Sequence, residues 1–147
     1  MSNPFILIGA LYGFLAVALG AFGAHALKEM LEPAQLQTFQ TGVLYQIFHA
    51  VVILSLGLFL HLHSGGGNGG GVGVGTASEL LLANEKALKL VTISGYCFTA
   101  GILVFSGSLY TLSISGIRIL GAITPIGGVL FLVGWLTLAY ASTRLVK

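Results

Sequence analysis

Charge is scarce in this chain. Only 7% of its 147 residues are Asp, Glu, Lys or Arg, whereas soluble domains carry about 25%. A folded chain of this length exposes a large surface that charge must help to solvate, so six basic and four acidic side chains exclude a water-soluble domain. The scarcity is also patterned: residues 1–27, 33–78, 90–117 and 119–143 contain no charged side chain. Each stretch is long enough to cross a bilayer, for which about 20 apolar residues suffice. With 56% hydrophobic residues and a mean hydropathy of +0.99, the expectation is an all-α membrane protein. It should be a four-transmembrane-helix bundle, one integral domain over residues 1–147, with no extramembrane domain of any size.

Other absences narrow the chemistry. The single cysteine, Cys97, cannot form an internal disulfide, and its apolar sequence context makes it a small packing residue rather than a nucleophile. The net charge of +2 is scattered, without the basic stripe that nucleic acid requires or a polybasic tract for anionic lipid. No Cys-x-x-Cys, no His pair at i,i+4 and no carboxylate within a span supplies ligands, so neither a metal nor a cofactor is expected. Ser106, Ser108, Thr111 and Ser113 have no Asp or Glu nearby in sequence to orient a base, so no catalytic residue is expected and the chain does not read as an enzyme. An intramembrane Ser106–His49 pair is the alternative to that reading.

The spans are expected over about residues 4–25, 42–62, 88–112 and 117–141. Ala24-His25-Ala26 has the small-x-small form of a cleavage site, but the stretch before it lacks Lys or Arg and exceeds a signal h-region, so it reads as a retained span. Lys28, Glu29 and Glu32 form a polar turn, Pro33 suits the first turn of a helix, and residues 34–40 should lie at the membrane interface. His61 and His63 close the second span at headgroup level. Residues 64–78 are glycine-rich and read as a flexible loop, not as an anion-binding loop, because no GxxxxGK[ST] pattern is present. Asn84-Glu85 looks like a helix start, and Glu85 and Lys89 stand at i,i+4. Lys86, Lys89, Arg144 and Lys147 fall on the side of the N-terminus and Lys28 and Arg118 on the other, which predicts cytoplasmic termini.

Small residues should bring the helices together, since lipid supplies little hydrophobic drive for association. Gly9, Gly13, Ala16, Gly20 and Gly23 recur at spacings that place them on one face of the first span, a seam for close backbone approach. The third span offers Gly95, Thr99 and Ser106, and the fourth Gly121, Gly127, Gly128 and Gly134. Intramolecular packing is the expected use, with homodimerisation through Gly9-x-x-x-Gly13 the alternative. Pro125 in the fourth span, followed by Gly127 and Gly128, predicts a kink unless it lies near the helix start.

Polar side chains at membrane depth face protein or water as a rule. His25, Gln46 and His49 are the residues to examine, then Tyr12, Tyr45, Tyr110 and Arg118. Gln46 and His49 share a face at i,i+3, near the leaflet in which His25 ends the first span, so the three are expected to converge. Such a cluster serves as hydrogen-bonding glue between helices, as the lining of a permeation pathway, or as a haem or metal site.

The same residues carry a resemblance. Gly20-Ala21-Phe22-Gly23-Ala24-His25-Ala26-Leu27, Phe39-Gln40-Thr41-Gly42 with Tyr45-Gln46 and His49-Ala50, Phe105-Ser106-Gly107-Ser108-Leu109-Tyr110, and Thr124-Pro125-Ile126-Gly127-Gly128 with Trp135 make the chain similar to the domain-of-unknown-function 423 family. That family comprises small bacterial inner-membrane proteins and includes eukaryotic transmembrane protein 256. The resemblance covers nearly the whole chain outside the glycine loop, which departs from the family's usual short connection. It implies a four-span protein of the bacterial plasma membrane with no established activity, and it places His25, Gln46 and His49 within family motifs. The expected function is a structural or interaction module in the lipid bilayer, joined by a second copy or a membrane-protein partner and not by nucleic acid. The alternatives are a small transporter lined by His25, Gln46 and His49, and an intramembrane haem or metal protein.

Overall fold

The computed structural model describes residues 3–64 and 74–145, with the side chains of residues 3–63 and 84–145. Among the described residues there is no strand. Four helical stretches are long and apolar enough to cross a membrane: Phe5–Met30, Pro33–His63, Asn84–Ser115 and Arg118–Ser142.

The first stretch begins at a local lock. Asn3 accepts the Phe5 amide on Oδ1 at 3.0 Å and donates from Nδ2 to the Gly57 carbonyl, fixing the start of α1 (Phe5–Phe22) to the neighbouring helix. A π-helical turn, Gly23–Leu27, and a short helix α2 (Lys28–Met30) continue α1, and extended Leu31 ends it. Pro33 opens α3 (Pro33–Ser64) without losing a bond, because the amides of a first helical turn have no partner within the helix. The interfacial segment expected at residues 34–40 is thus an unbroken part of α3, whose 32 residues span about 48 Å at 1.5 Å per residue, beyond the roughly 30 Å hydrocarbon core.

α4 runs from Val74 to Ser115. The glycine-rich loop expected over 64–78 therefore loses its two ends to helix, Ser64 to α3 and residues 74–78 to α4, while residues 65–73 lie outside the described residues. Asn84 is not a helix start but an interior residue of α4. The alanine and leucines at 80–83 are strong helix formers, and a good cap residue does not interrupt such a run. Glu85 and Lys89 do form their i,i+4 ion pair, at 2.7 Å on an exposed surface where such pairs contribute little. α4 ends where Gly116 takes φ +70°, a conformation that costs other residues dearly.

A 3-10 turn, Arg118–Ala122, leads into α5 (Thr124–Ser142). Pro125 occupies the first turn of α5, where its missing N–H costs nothing, so it starts a helix instead of kinking one. The candidate kink at Pro125, Gly127 and Gly128 is accordingly absent. Gly127 instead presses on the Phe105 main chain, and Gly128 lies by the Phe105 ring.

The helices pack in the order α1, α3, α4, α5, and each adjacent pair is closed by glycine. Between α1 and α3, a Cβ on Gly9 would stand 2.6 Å from the Leu54 nitrogen and one on Gly57 2.6 Å from the Ile6 nitrogen. Gly20 meets Val43 and Gly23 meets the Phe39 ring in the same antiparallel register, and Ala16 is buried. Gly13 has nothing within 4 Å. Four of the five seam residues thus face inward, and the seam is an intramolecular one. Elsewhere rings fill the notches left by missing side chains: Phe5 at Gly95, Tyr110 at Gly42, Phe131 at Gly101 and Phe98 at Gly134.

Candidate functional site

Two polar layers cross the interior. In the first, buried Gln46 of α3 donates from Nε2 to the Tyr12 carbonyl of α1 at 2.9 Å and accepts the Tyr110 hydroxyl of α4 on Oε1 at 2.9 Å. Tyr12 in turn donates its hydroxyl to the Thr99 carbonyl of α4 at 3.3 Å. One turn away, Ser106 of α4 donates to the Gly42 carbonyl of α3 at 2.8 Å. A single amide and three hydroxyls therefore tie α1, α3 and α4 together, meeting α4 at Thr99, Ser106 and Tyr110.

The second layer is built on His49, 6% exposed. Its Nδ1 lies 2.8 Å from the Tyr45 carbonyl, which only accepts, so Nδ1 carries a proton. Its Nε2 then serves as the acceptor for the Trp135 indole N–H of α5 at 3.3 Å. Both ring nitrogens are used, and the pair of contacts selects the neutral Nδ1–H tautomer. The ring stacks on Phe131 with centroids 3.7 Å apart and an 11° interplanar angle, and Phe98 approaches it at 5.4 Å. The Tyr45 ring lies near-parallel to it, with centroids 6.1 Å apart. Further along, Ser94 of α4 donates to the Gly134 carbonyl of α5 at 2.9 Å, and Ser108 and Thr124 share a bond of 2.9 Å.

Sequence position brings together only part of the expected cluster. Gln46 and His49 do share the inner face of α3. His25 does not join them: it is exposed within the π-helical turn, whose buried residues are Gly23 and Leu27, and it shares no hydrogen bond or ring contact with either among the described residues. Equal depth placed the three at one level, but the face of the first span, and not its depth, decides contact. Nor is there a Ser106–His49 pair, since Ser106 is bonded to Gly42 and His49 to Tyr45 and Trp135. Thr111 and Ser113 donate to carbonyls of their own helix. Phe98 and Phe131 were missing from the expected site. The signal that could have found Phe131 is its i,i+4 spacing from Trp135, which puts two large rings on one face of α5.

The polar groups of both layers are taken up in hydrogen bonds. Among the described residues no buried side-chain nitrogen or oxygen lacks a hydrogen-bond partner, and no three His, Cys, Asp or Glu side chains come together. What the layers can do is fix register, because the bonds of Gln46, Tyr12, Ser106 and Trp135 each join one helix to a chosen group of another.

Comparison with known proteins agrees with this architecture and adds a family. Residues 19–128 match the model of a protein of unknown function, DUF423. The chain is 39% identical over 140 residues to the UPF0382 membrane protein YwdK of Bacillus subtilis, covering 95% of this chain and 96% of the relative. It is 39% identical over 144 residues to a UPF0382 membrane protein of Haemophilus influenzae, covering 98% and 97%. To the UPF0382 inner membrane protein YgdD of Escherichia coli it is 35% identical over 147 residues, covering 99% and 94%. No solved structure matches it significantly.

Proposed function

Since the chain belongs to the DUF423 family of membrane proteins, whose description assigns no activity, we propose that it acts as a non-catalytic structural or interaction module of the membrane. One observation carries this reading: the buried polar groups at membrane depth are bonded to protein, and Gln46, Ser106 and the His49–Trp135 pair hold helices to one another. Gln46 binds Tyr12 and Tyr110, and both nitrogens of His49 are engaged. A permeation pathway would need polar groups turned toward water, and a haem or metal ligand would need His49 Nε2 released from Trp135. A module with a closed interior meets its partners on its outer surface, where the bilayer, a second copy or another membrane protein is reached. Lys86, Lys89, Arg144 and Lys147, set against Lys28 and Arg118, favour cytoplasmic termini.

The test is water access. In a Cys97→Ser background, Gln46→Cys and His49→Cys are treated with a membrane-impermeant maleimide on right-side-out and inverted vesicles, with Ser115→Cys at the exposed end of α4 as the labelled control. Both interior cysteines should stay unlabelled from either side while the helical content is retained. Labelling of both at the rate of the control would replace the module with a permeation pathway. A stoichiometric haem band in the purified protein, lost in His49→Ala, would replace it with a redox protein.

A further inference from the structure

The two polar layers differ in what a proton does to them. The first is held by an amide and hydroxyls, groups that keep their charge state from about pH 4 to about pH 8, so acid leaves its bonds in place. The second turns on an imidazole, which changes charge within that range. Of the four histidines His49 alone is buried; His25, His61 and His63 are exposed.

The bond to His49 has a particular place in the fold. α5 packs along α4, and the described residues place one hydrogen bond between α5 and α3, from the Trp135 indole to His49 Nε2 at 3.3 Å. Rings accompany it: Phe131 lies against Tyr45 and His49, and Trp135 stands edge-on to His49. The bond exists only while Nε2 keeps its lone pair. A proton taken up from water at Nε2 makes the ring a donor at both nitrogens. It leaves the Nδ1–H bond to the Tyr45 carbonyl as it is, and it sets two N–H groups against each other where one bond had been.

No charge around the ring compensates. Among the described residues its neighbours are Tyr45 of its own helix, Phe98 of α4, and Phe131 and Trp135 of α5, with no hydrogen bond or ring contact from α1. None is a carboxylate, and none is a second cation. The imidazolium keeps the Phe131 face, 3.7 Å away, as a cation–π partner, whereas the indole of Trp135, 47% exposed, can swing outward. The same swing admits the proton, so its route does not run through the closed interior.

We infer that the Trp135–His49 bond is a proton-sensitive tie, which fastens α5 to α3 while His49 is neutral and releases the indole when Nε2 is protonated. Acid thus loosens one seam and spares the layer that joins α1, α3 and α4. The tie stands apart from the module reading: a water-lined bundle carries the same bond, so failure of one leaves the other intact.

Trp135 is the only tryptophan, so a single indole N–H signal in the nuclear magnetic resonance spectrum reports on the bond. The full chain in lipid nanodiscs is titrated from about pH 8 to about pH 4, on either side of the ordinary imidazole value. At the alkaline end the ring nitrogens of His49 should show the Nδ1–H tautomer and the indole N–H a hydrogen-bonded shift. At the acid end the ring should be doubly protonated, and the indole N–H should exchange with solvent about tenfold faster than in His49→Gln at the same pH, as loss of one net hydrogen bond implies. The Gln oxygen is an acceptor that does not protonate, so His49→Gln should hold the indole shift across the range. A triple variant, His25→Gln, His61→Gln and His63→Gln, should titrate like wild type. Should His49→Gln fail to fold, wild type alone decides, because the His49 ring and the Trp135 indole must move at one midpoint. The proposal is overturned by an indole signal that stays fixed between the two ends, by a transition that survives in His49→Gln, or by one that disappears in the triple variant. It is overturned too if helical content falls together with the indole signal, because acid would then be unfolding the bundle instead of untying one seam.

Discussion

The seams at the two ends of the helix row use glycine to different purposes. Between α1 and α3 the close contacts of Gly9 and Gly57 are against main chain, Leu54 and Ile6 respectively. Between α4 and α5 only Gly127 touches main chain, while Gly101 and Gly134 receive the rings of Phe131 and Phe98. Main chain cannot step aside without moving a helix, whereas a ring can rotate or be replaced. The difference suits the position of the helices. Only 17% of the apolar window of each outer span is buried, against 33% in each inner span, so α1 and α5 each hold on by one face. α1 does so with few rings and close backbone contact; α5 does so with rings that also enclose His49.

This contrast predicts unequal responses to the same one-methyl change. Gly9→Ala should cost more than Gly134→Ala, because its Cβ meets the Leu54 nitrogen, α-carbon and β-carbon within 2.8 Å and main chain cannot yield as a ring can. A loss of about 3 kcal/mol, the upper part of the overpacking range, is expected in detergent unfolding titrations. A loss below about 1 kcal/mol would show that α1 slides freely and that its seam does not set the register.

Gly134→Ala should cost less, about 1–2 kcal/mol, because the obstacle is the Phe98 ring, 2.7 Å from the new Cβ. The same variant in a Phe98→Leu background should cost nearly nothing, a coupling that a double-mutant cycle measures directly. Equal cost in both backgrounds would mean that the α4–α5 seam is as rigid as the other, and the comparison would collapse.

Much of this was legible in the residues, and the limits are physical. The uncharged stretches fix four spans because desolvating charge decides the solvent of a helix, whatever its neighbours do. The 4-and-3 spacing of Gly9, Gly13, Ala16, Gly20 and Gly23 reveals a face, and the structure puts that face, Gly13 excepted, against α3. Spacing alone does not say which helix meets a seam, so the ring of Phe5 at Gly95 and that of Phe131 on His49 are invisible without the fold. His25 was misplaced for a related reason: the π-helical turn at Gly23–Leu27 shifts the angular position of every later residue, and a 3.6-residue period does not foresee it. Pro125 was ambiguous because one residue decides between a helix interior and a helix start, and the 3-10 turn before it settles the matter.

Gly13 gives the smallest effect and the sharpest reading of the seam. It shares the spacing of Gly9 and Gly20, yet a Cβ there would meet nothing within 4 Å. If sequence spacing governed packing, Gly13→Ala would harm the protein as Gly9→Ala does. If contact governs it, the only remaining effect is the helical preference of alanine over glycine, so Gly13→Ala should stabilise the protein by up to about 1 kcal/mol. Gly13→Leu should also fold, because open space at this position accepts a longer side chain. Unfolding titrations of the two variants beside Gly9→Ala separate the alternatives. Destabilisation by Gly13→Leu together with loss of a dimer in cross-linking would show that this one open position of α1 serves a second copy, and the division between an inward seam and an outward lipid surface would then run through Gly13.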